Sequence, residues 1–303
     1  MKGLDLSHQY YDEILCPFLE TELPERVDRI AAGLVGDGSE CFGYDDDLSR
    51  DHDWGVRVCL WVNHKDLLTF GGELSSALRK LPGEFHGFSV ILEPDRGGVL
   101  EIGAFFRKYL RNGGAPETVG EWLSIPDAYL ATASNGAVFA DPLGEFSSVW
   151  KELRRGYPGD IRLKKLARRC MSMGQAGQYN FPRLMKRGDP VAAQLALDEF
   201  IRAAISAVYL LNHRYAPFYK WMYRGLQELE TAGKEISALM EQLIATNDRQ
   251  GVIEQICRTL ISEFHRQGIS DEGDAYMVAQ GESIHAHICM DALRNTDPWM
   301  ECP

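Results

Sequence analysis

Residues 36–55 read GDGSECFGYDDDLSRDHDWG, and this stretch decides the fold. A Gly-Ser pair, Gly38 and Ser39, precedes two alternating aspartates, Asp51 and Asp53, which lead into an apolar, β-rich run over 54–62. Residues i and i+2 of an extended chain share a face, so Asp51 and Asp53 are expected to converge while His52 points away. Two anionic oxygen ligands suit a hard divalent cation, and Mg²⁺ is commonly held by one or two carboxylates together with substrate phosphates. A preceding Gly-Ser turn can bring backbone N–H groups and a hydroxyl up to those phosphates. The pattern predicts phosphoryl chemistry on a nucleoside triphosphate, assisted by Mg²⁺ or Mn²⁺.

Outward from that stretch the chain changes character once. Residues 8–31 read as helix interrupted near Pro24, and a short strand over 31–35 runs into the glycine loop. Further strands are predicted at 54–62, 88–93 and 99–106, with a helix over 65–80 closed by Pro82-Gly83. A mixed-sheet domain is thus expected over 1–145, ending at the turn Asp141-Pro142-Leu143-Gly144. Beyond it strand signals vanish. Leu163, Leu166, Cys170 and Met173 have helical spacing, with Arg162, Lys165 and Arg169 on the opposite face. Long apolar helices follow over 191–212, 252–264 and 277–289, so residues 146–303 are expected to form an all-α domain. The fold class is α+β.

Composition narrows the function. The 303-residue chain has no apolar run of membrane-spanning length, and MKGLDLSHQYYDE lacks a signal pattern, which points to the cytoplasm. Seven scattered cysteines without a CxxC pair suit free thiols. A net charge of −12 argues against general nucleic-acid binding. Residues 151–187 nevertheless hold eleven Lys/Arg against Glu152 and Asp160. That segment either faces a polyanion such as a triphosphate or is a solvated helix face.

The order strand, Gly-Ser, eleven residues, Asp-x-Asp resembles the nucleotidyltransferase superfamily, the DNA-polymerase-β-like fold. The spacing is most similar to its small-molecule group, the aminoglycoside and minimal (MNT) nucleotidyltransferases. The wider chain resembles the group known as DUF4037, through VFADPLG (138–144), GQYNFPRLMKRGD (177–189) and LNHRYAPFYKWMYRGL (211–226). The resemblance implies that Gly38 and Ser39 hold the triphosphate and that Asp51 and Asp53 hold the metal. It also implies a third acid. Glu101 in GVLEIGAFF is the candidate, as metal ligand or as general base on an acceptor hydroxyl, with Glu93 its rival.

Asp45, Asp46 and Asp47 are either a solvated loop or an attraction for a cationic acceptor. In the helical half, Lys220 is the candidate for the triphosphate, with Tyr219 or Tyr215 against base or acceptor. Asn180 and Arg183 lie in a stretch too rich in Gly and Pro for regular helix and are candidate substrate contacts. His285 and His287, two apart on a helix, cannot share one ion. The expected activity is Mg²⁺-dependent transfer of a nucleoside monophosphate, with ATP the first-choice donor, to a hydroxyl of a small molecule, releasing pyrophosphate from a site between the two domains. Modification of a protein acceptor and non-catalytic nucleotide sensing are the alternatives.

Overall fold

The computed structural model describes residues 1–51, 54–92 and 97–300. Contacts divide the chain into two compact units, Met1–Glu117 with Tyr129–Arg155, and Thr118–Ala128 with Gly156–Pro303. The class is α+β, with every described strand in the first unit.

The first unit opens with α1 (Gly3–Tyr10), which continues through a π-helical turn, Tyr11–Leu15, into α2 (Cys16–Glu22). β1 (Ala31–Leu34) follows and feeds the glycine loop. The expected strand over 54–62 is two short ones, β2 (Val56–Arg57) and β3 (Cys59–Val62), divided at Val58. α3 (His64–Leu78) is capped by the Asn63 side chain on the Asp66 N–H. β4 (Glu84–Phe85) and β5 (Phe88–Ile91) form a hairpin whose two turn residues, His86 and Gly87, have φ of 50° and 81°. Positive φ at both positions is what a twist-compatible two-residue hairpin turn requires.

β6 (Gly98–Glu101) is shorter than the predicted strand, because the chain turns helical at Ile102 and forms α4 (Ile102–Arg107). A four-stranded sheet has the order β6-β3-β1-β7, where β7 is Ala137–Ala140, and a second sheet has the order β2-β5-β4. β3 is buried at all four positions because both of its faces are covered. Leu60 and Val62 join the core with Leu6, Tyr10, Phe70 and Leu74, while Trp61 stacks on Phe146 at 3.8 Å and meets Phe105 edge-on. Phe146 comes from α7 (Glu145–Arg154).

Tyr10 carries an expectation of its own. Its ring packs edge-to-face on Phe85, but its hydroxyl is buried with no hydrogen-bond partner among the described residues, and burial pushes its pKa up to about 12. Removing a buried, unsatisfied hydroxyl removes a desolvation cost. Tyr10→Phe is therefore expected to leave stability unchanged or raise it by about 1 kcal/mol in a urea melt.

The second unit is helical. α5 (Val119–Ser124) starts with a capping box between Thr118 and Glu121, and α6 (Asp127–Ser134) carries residues of both units. α8 (Gly159–Met173) is central, packed by α10 (Pro190–Leu211) and α14 (Met277–Ala286). The stretch read as too irregular for helix is helical: a π-helical segment, Gly174–Asn180, runs directly into α9 (Phe181–Arg187), with Pro182 in the first turn. Because the helix continues through this junction, the prolyl nitrogen removes one backbone donor there. α11 (Tyr219–Leu226), α12 (Gly233–Ala245), α13 (Arg249–Arg266) and α15 (Asp291–Arg294) complete the unit. No helix among the described residues is long and apolar enough to cross a membrane.

Candidate functional site

β1 runs antiparallel to β3 with Gly33 opposite Cys59, so the loop after Leu34 leaves the sheet at the end where β3 begins. Gly36 and Gly38 have φ of 120° and 125°, conformations that L side chains rarely adopt. The loop is held from three sides. The Gly36 N–H donates to Asn135 Oδ1, and Asn135 Nδ2 returns a bond to the Gly36 carbonyl, both at 2.8 Å. Arg57 Nη2 donates to the Asp37 carbonyl at 2.7 Å and pairs with the Glu40 carboxylate at 2.9 Å. The Asp37 carboxylate accepts from Lys108 Nζ at 2.6 Å and from the Tyr109 hydroxyl at 2.9 Å. Burial and then the Asp37 charge raise the Tyr109 pKa, so it stays a donor. Ser39 makes no capping hydrogen bond with its side chain.

Cys41 and Cys59 are buried in the same layer. Burial pushes both thiols up, Cys59 to about 11, against the opposing pull of Arg57. A thiol held protonated is a poor nucleophile. Under iodoacetamide at pH 8, the exposed Cys289 is expected to alkylate while Cys41 and Cys59 stay unmodified until unfolding, as read by peptide mass spectrometry.

The aspartates of the opening stretch are only partly placed. Asp51 ends a short 3₁₀ turn, Leu48–Asp51, so the alternating-strand argument does not apply at that position. Its side chain, and Asp53 and Glu93 altogether, lie outside the described residues. Asp45 is no surface charge for a cationic acceptor: it is buried, and its Oδ2 accepts from the Gly3 N–H at 2.8 Å and from Trp54 Nε1 at 3.1 Å.

Glu101 is not brought to the loop. β6 runs parallel to β3 with Gly98 opposite Cys59 and Glu101 opposite Val62. Three residues of strand, roughly 10 Å at about 3.3 Å each, separate Glu101 from the loop end of the sheet. There it pairs with Arg107 at 2.8 Å. Glu93 follows Leu92, whose carbonyl lies against Gly98 at the loop end. No group of three or more His, Cys, Asp or Glu among the described residues could hold a metal ion.

The remaining candidates belong to the second unit. Lys220 is exposed, its ammonium 5.2 Å from the Trp221 ring centroid. Asn180 ends the π-helical segment, and Arg183 is exposed with its guanidinium 4.6 Å from the Tyr179 ring centroid. Tyr215 is buried edge-on against Tyr157. Tyr219 is exposed and lines a cavity of about 530 Å³ together with Lys165, Arg168, Arg169 and Arg202. Lys165 and Arg169 were expected on a solvated or polyanion-facing surface. Lys165 is not solvated: it is buried and pairs with Asp127 at 3.0 Å, and Arg169 reaches the same carboxylate at 3.7 Å, while both line the cavity. His285 Nε2 lies 3.0 Å from the Arg294 carbonyl and His287 Nδ1 2.9 Å from the Ser283 carbonyl.

Residues 122–222 match the family described as "Domain of unknown function (DUF4037)". Two of the motifs that suggested that group, 138–144 and 177–189, fall wholly inside the match, and the third, 211–226, falls largely inside it. No curated protein matches the chain. Among solved structures, the chain is similar to a nucleotidyltransferase-like protein from Exiguobacterium sibiricum 255-15, with 12% identity over 96% of this chain and 80% of that one and a TM-score of 0.39. A likeness that loose carries no inference about the site.

Proposed function

For a chain that carries a DUF4037 segment over residues 122–222, we propose a nucleotidyltransferase that passes a nucleoside monophosphate from ATP to a hydroxyl of a small molecule and releases pyrophosphate. The observation that carries this reading is the glycine loop. Two positive-φ glycines flank Asp37, and the Asp37 carbonyl and carboxylate are tied down by Arg57, Lys108 and Tyr109. A backbone fixed this way can meet phosphate oxygens without paying to reorganise. Lys108 adds a half-exposed cation beside the loop.

Asp51 and Asp53 are the proposed holders of Mg²⁺, a pairing that suits the hard-oxygen chemistry of that ion. Bound there, Mg²⁺ would offset charge on the triphosphate. The chain's own part is to fix the triphosphate through the loop and offer the Ser39 hydroxyl, while a carboxylate acting as general base takes the acceptor's proton. Glu93, the rival offered by the sequence, is proposed for that carboxylate in place of Glu101, because Glu101 lies at the far end of the sheet from the loop.

The test is incubation of the protein with Mg²⁺, each α-labelled nucleoside triphosphate and cell extract as acceptor source. Label in the small-molecule fraction, lost in Asp51→Asn, supports the proposal. Label on polypeptide would replace it with protein modification, and binding without transfer with nucleotide sensing.

A further inference from the structure

The second unit holds a cavity that the nucleotidyltransferase reading does not use. One wall is cationic: Lys165, Arg168 and Arg169 from α8, and Arg202 from α10. Against these four cations the lining carries two carboxylates, Asp127 and the exposed Glu199. The rest of the lining is largely apolar, with Leu123, Ile125, Pro126, Pro217 and Met222 and the rings of Phe218 and Tyr219. Those two rings lie 4.5 Å apart and are 52% and 67% exposed, although large apolar side chains are more often covered.

Asp127 accepts from the Tyr157 hydroxyl at 2.7 Å and pairs with Lys165 at 3.0 Å and, more loosely, with Arg169 at 3.7 Å, which holds both cations in place. Arg169 Nε also donates to Ser206 Oγ at 2.9 Å, and Arg168 donates to Ser172 Oγ. These contacts orient the guanidinium groups along the wall of an open space of about 530 Å³, within the usual size of a small-molecule site. A positive surplus set in a concave, partly desolvated wall of a chain with net charge −12 selects for anions.

We propose that this cavity binds an organic anion, with a phosphate or carboxylate head on the Arg168–Arg202 side and a planar or apolar body against Phe218 and Tyr219. The site lies within the second unit and does not depend on the glycine loop, so a chain that transferred no nucleotide would still bind its anion here.

Isothermal titration of the full-length protein with AMP, with 4-hydroxybenzoate and with uncharged adenosine tests this. AMP and 4-hydroxybenzoate separate a nucleotide phosphate from a carboxylate as the head group. At least one anion is expected to bind. Adenosine, and either anion against Arg168→Ala/Arg202→Ala, are expected to bind at least about tenfold more weakly, because the charge-assisted contacts are gone. Arg202→Glu, at an exposed position, decides the matter should the double variant fail to fold. Binding of neither anion, equal binding of adenosine, or affinity unchanged in the variants would overturn the proposal.

Discussion

Arg57→Leu is expected to lower the unfolding free energy by about 3–5 kcal/mol, the cost of leaving one member of a buried ion pair without its partner. The Arg57 and Glu40 side chains are 9% and 6% exposed, and their charged atoms meet at 2.9 Å. Arg57 also donates to the Asp37 carbonyl and to the Cys41 sulfur, so its loss frees the floor of the glycine loop. Replacing both partners, Arg57→Leu with Glu40→Leu, is expected to recover most of that loss, since a well-packed apolar pair carries no desolvation cost. Urea melts of the two single variants and the double variant measure this. A loss under about 1 kcal/mol in Arg57→Leu would mean that water already solvates the pair.

Gly38→Ala is the second large effect. A Cβ at Gly38 would stand 2.6 Å from Glu40 Oε2, and the backbone there has a φ of 125°. The left-handed conformation alone costs about 1–3 kcal/mol for a residue with a side chain. Glu40 cannot swing aside, because Arg57 holds its carboxylate. The two terms together are expected to cost about 2–4 kcal/mol and to distort the loop that the proposal assigns to phosphate. The steric share is expected to shrink in the Glu40→Leu/Arg57→Leu background, where the neighbour can move, while the backbone share persists. Equal losses in both backgrounds would show that the backbone conformation is the whole cause.

Much of the first unit was legible because burial on one face imposes period 2 on strands and 3.6 on helices. β1, β3, α3 and the long helices of the second unit fall close to their predicted places. The misses have physical causes. Gly103, Ala104, Phe105 and Phe106 form an apolar run that periodicity cannot divide between strand and helix, and it is helical in α4. Lys165 read as part of a polar face because the sequence does not reveal that α8 is enclosed by α10 and α14.

The glycine loop itself was visible in Gly38-Ser39, but its supports were not. Arg57, Lys108 and Asn135 are 20, 71 and 99 residues from the loop atoms they bind. The Asn135-Gly136 pair is a turn signal, and Gly136 does have a positive φ, but nothing in the sequence ties it to the loop. Glu101 was chosen because it sits in a strand pattern. Parallel pairing with β3, unknowable from one sequence, places it at the wrong end of the sheet for the loop.

Mn²⁺ binding followed by electron paramagnetic resonance, with a non-hydrolysable ATP analogue present, tests the metal–triphosphate reading of residues 36–55 most directly. The intact protein is expected to hold Mn²⁺ in a nucleotide-dependent way, and Asp51→Asn and Asp53→Asn are each expected to abolish that binding while leaving the melting temperature unchanged. No bound Mn²⁺ in the intact protein, or the same bound signal in both variants, would contradict it.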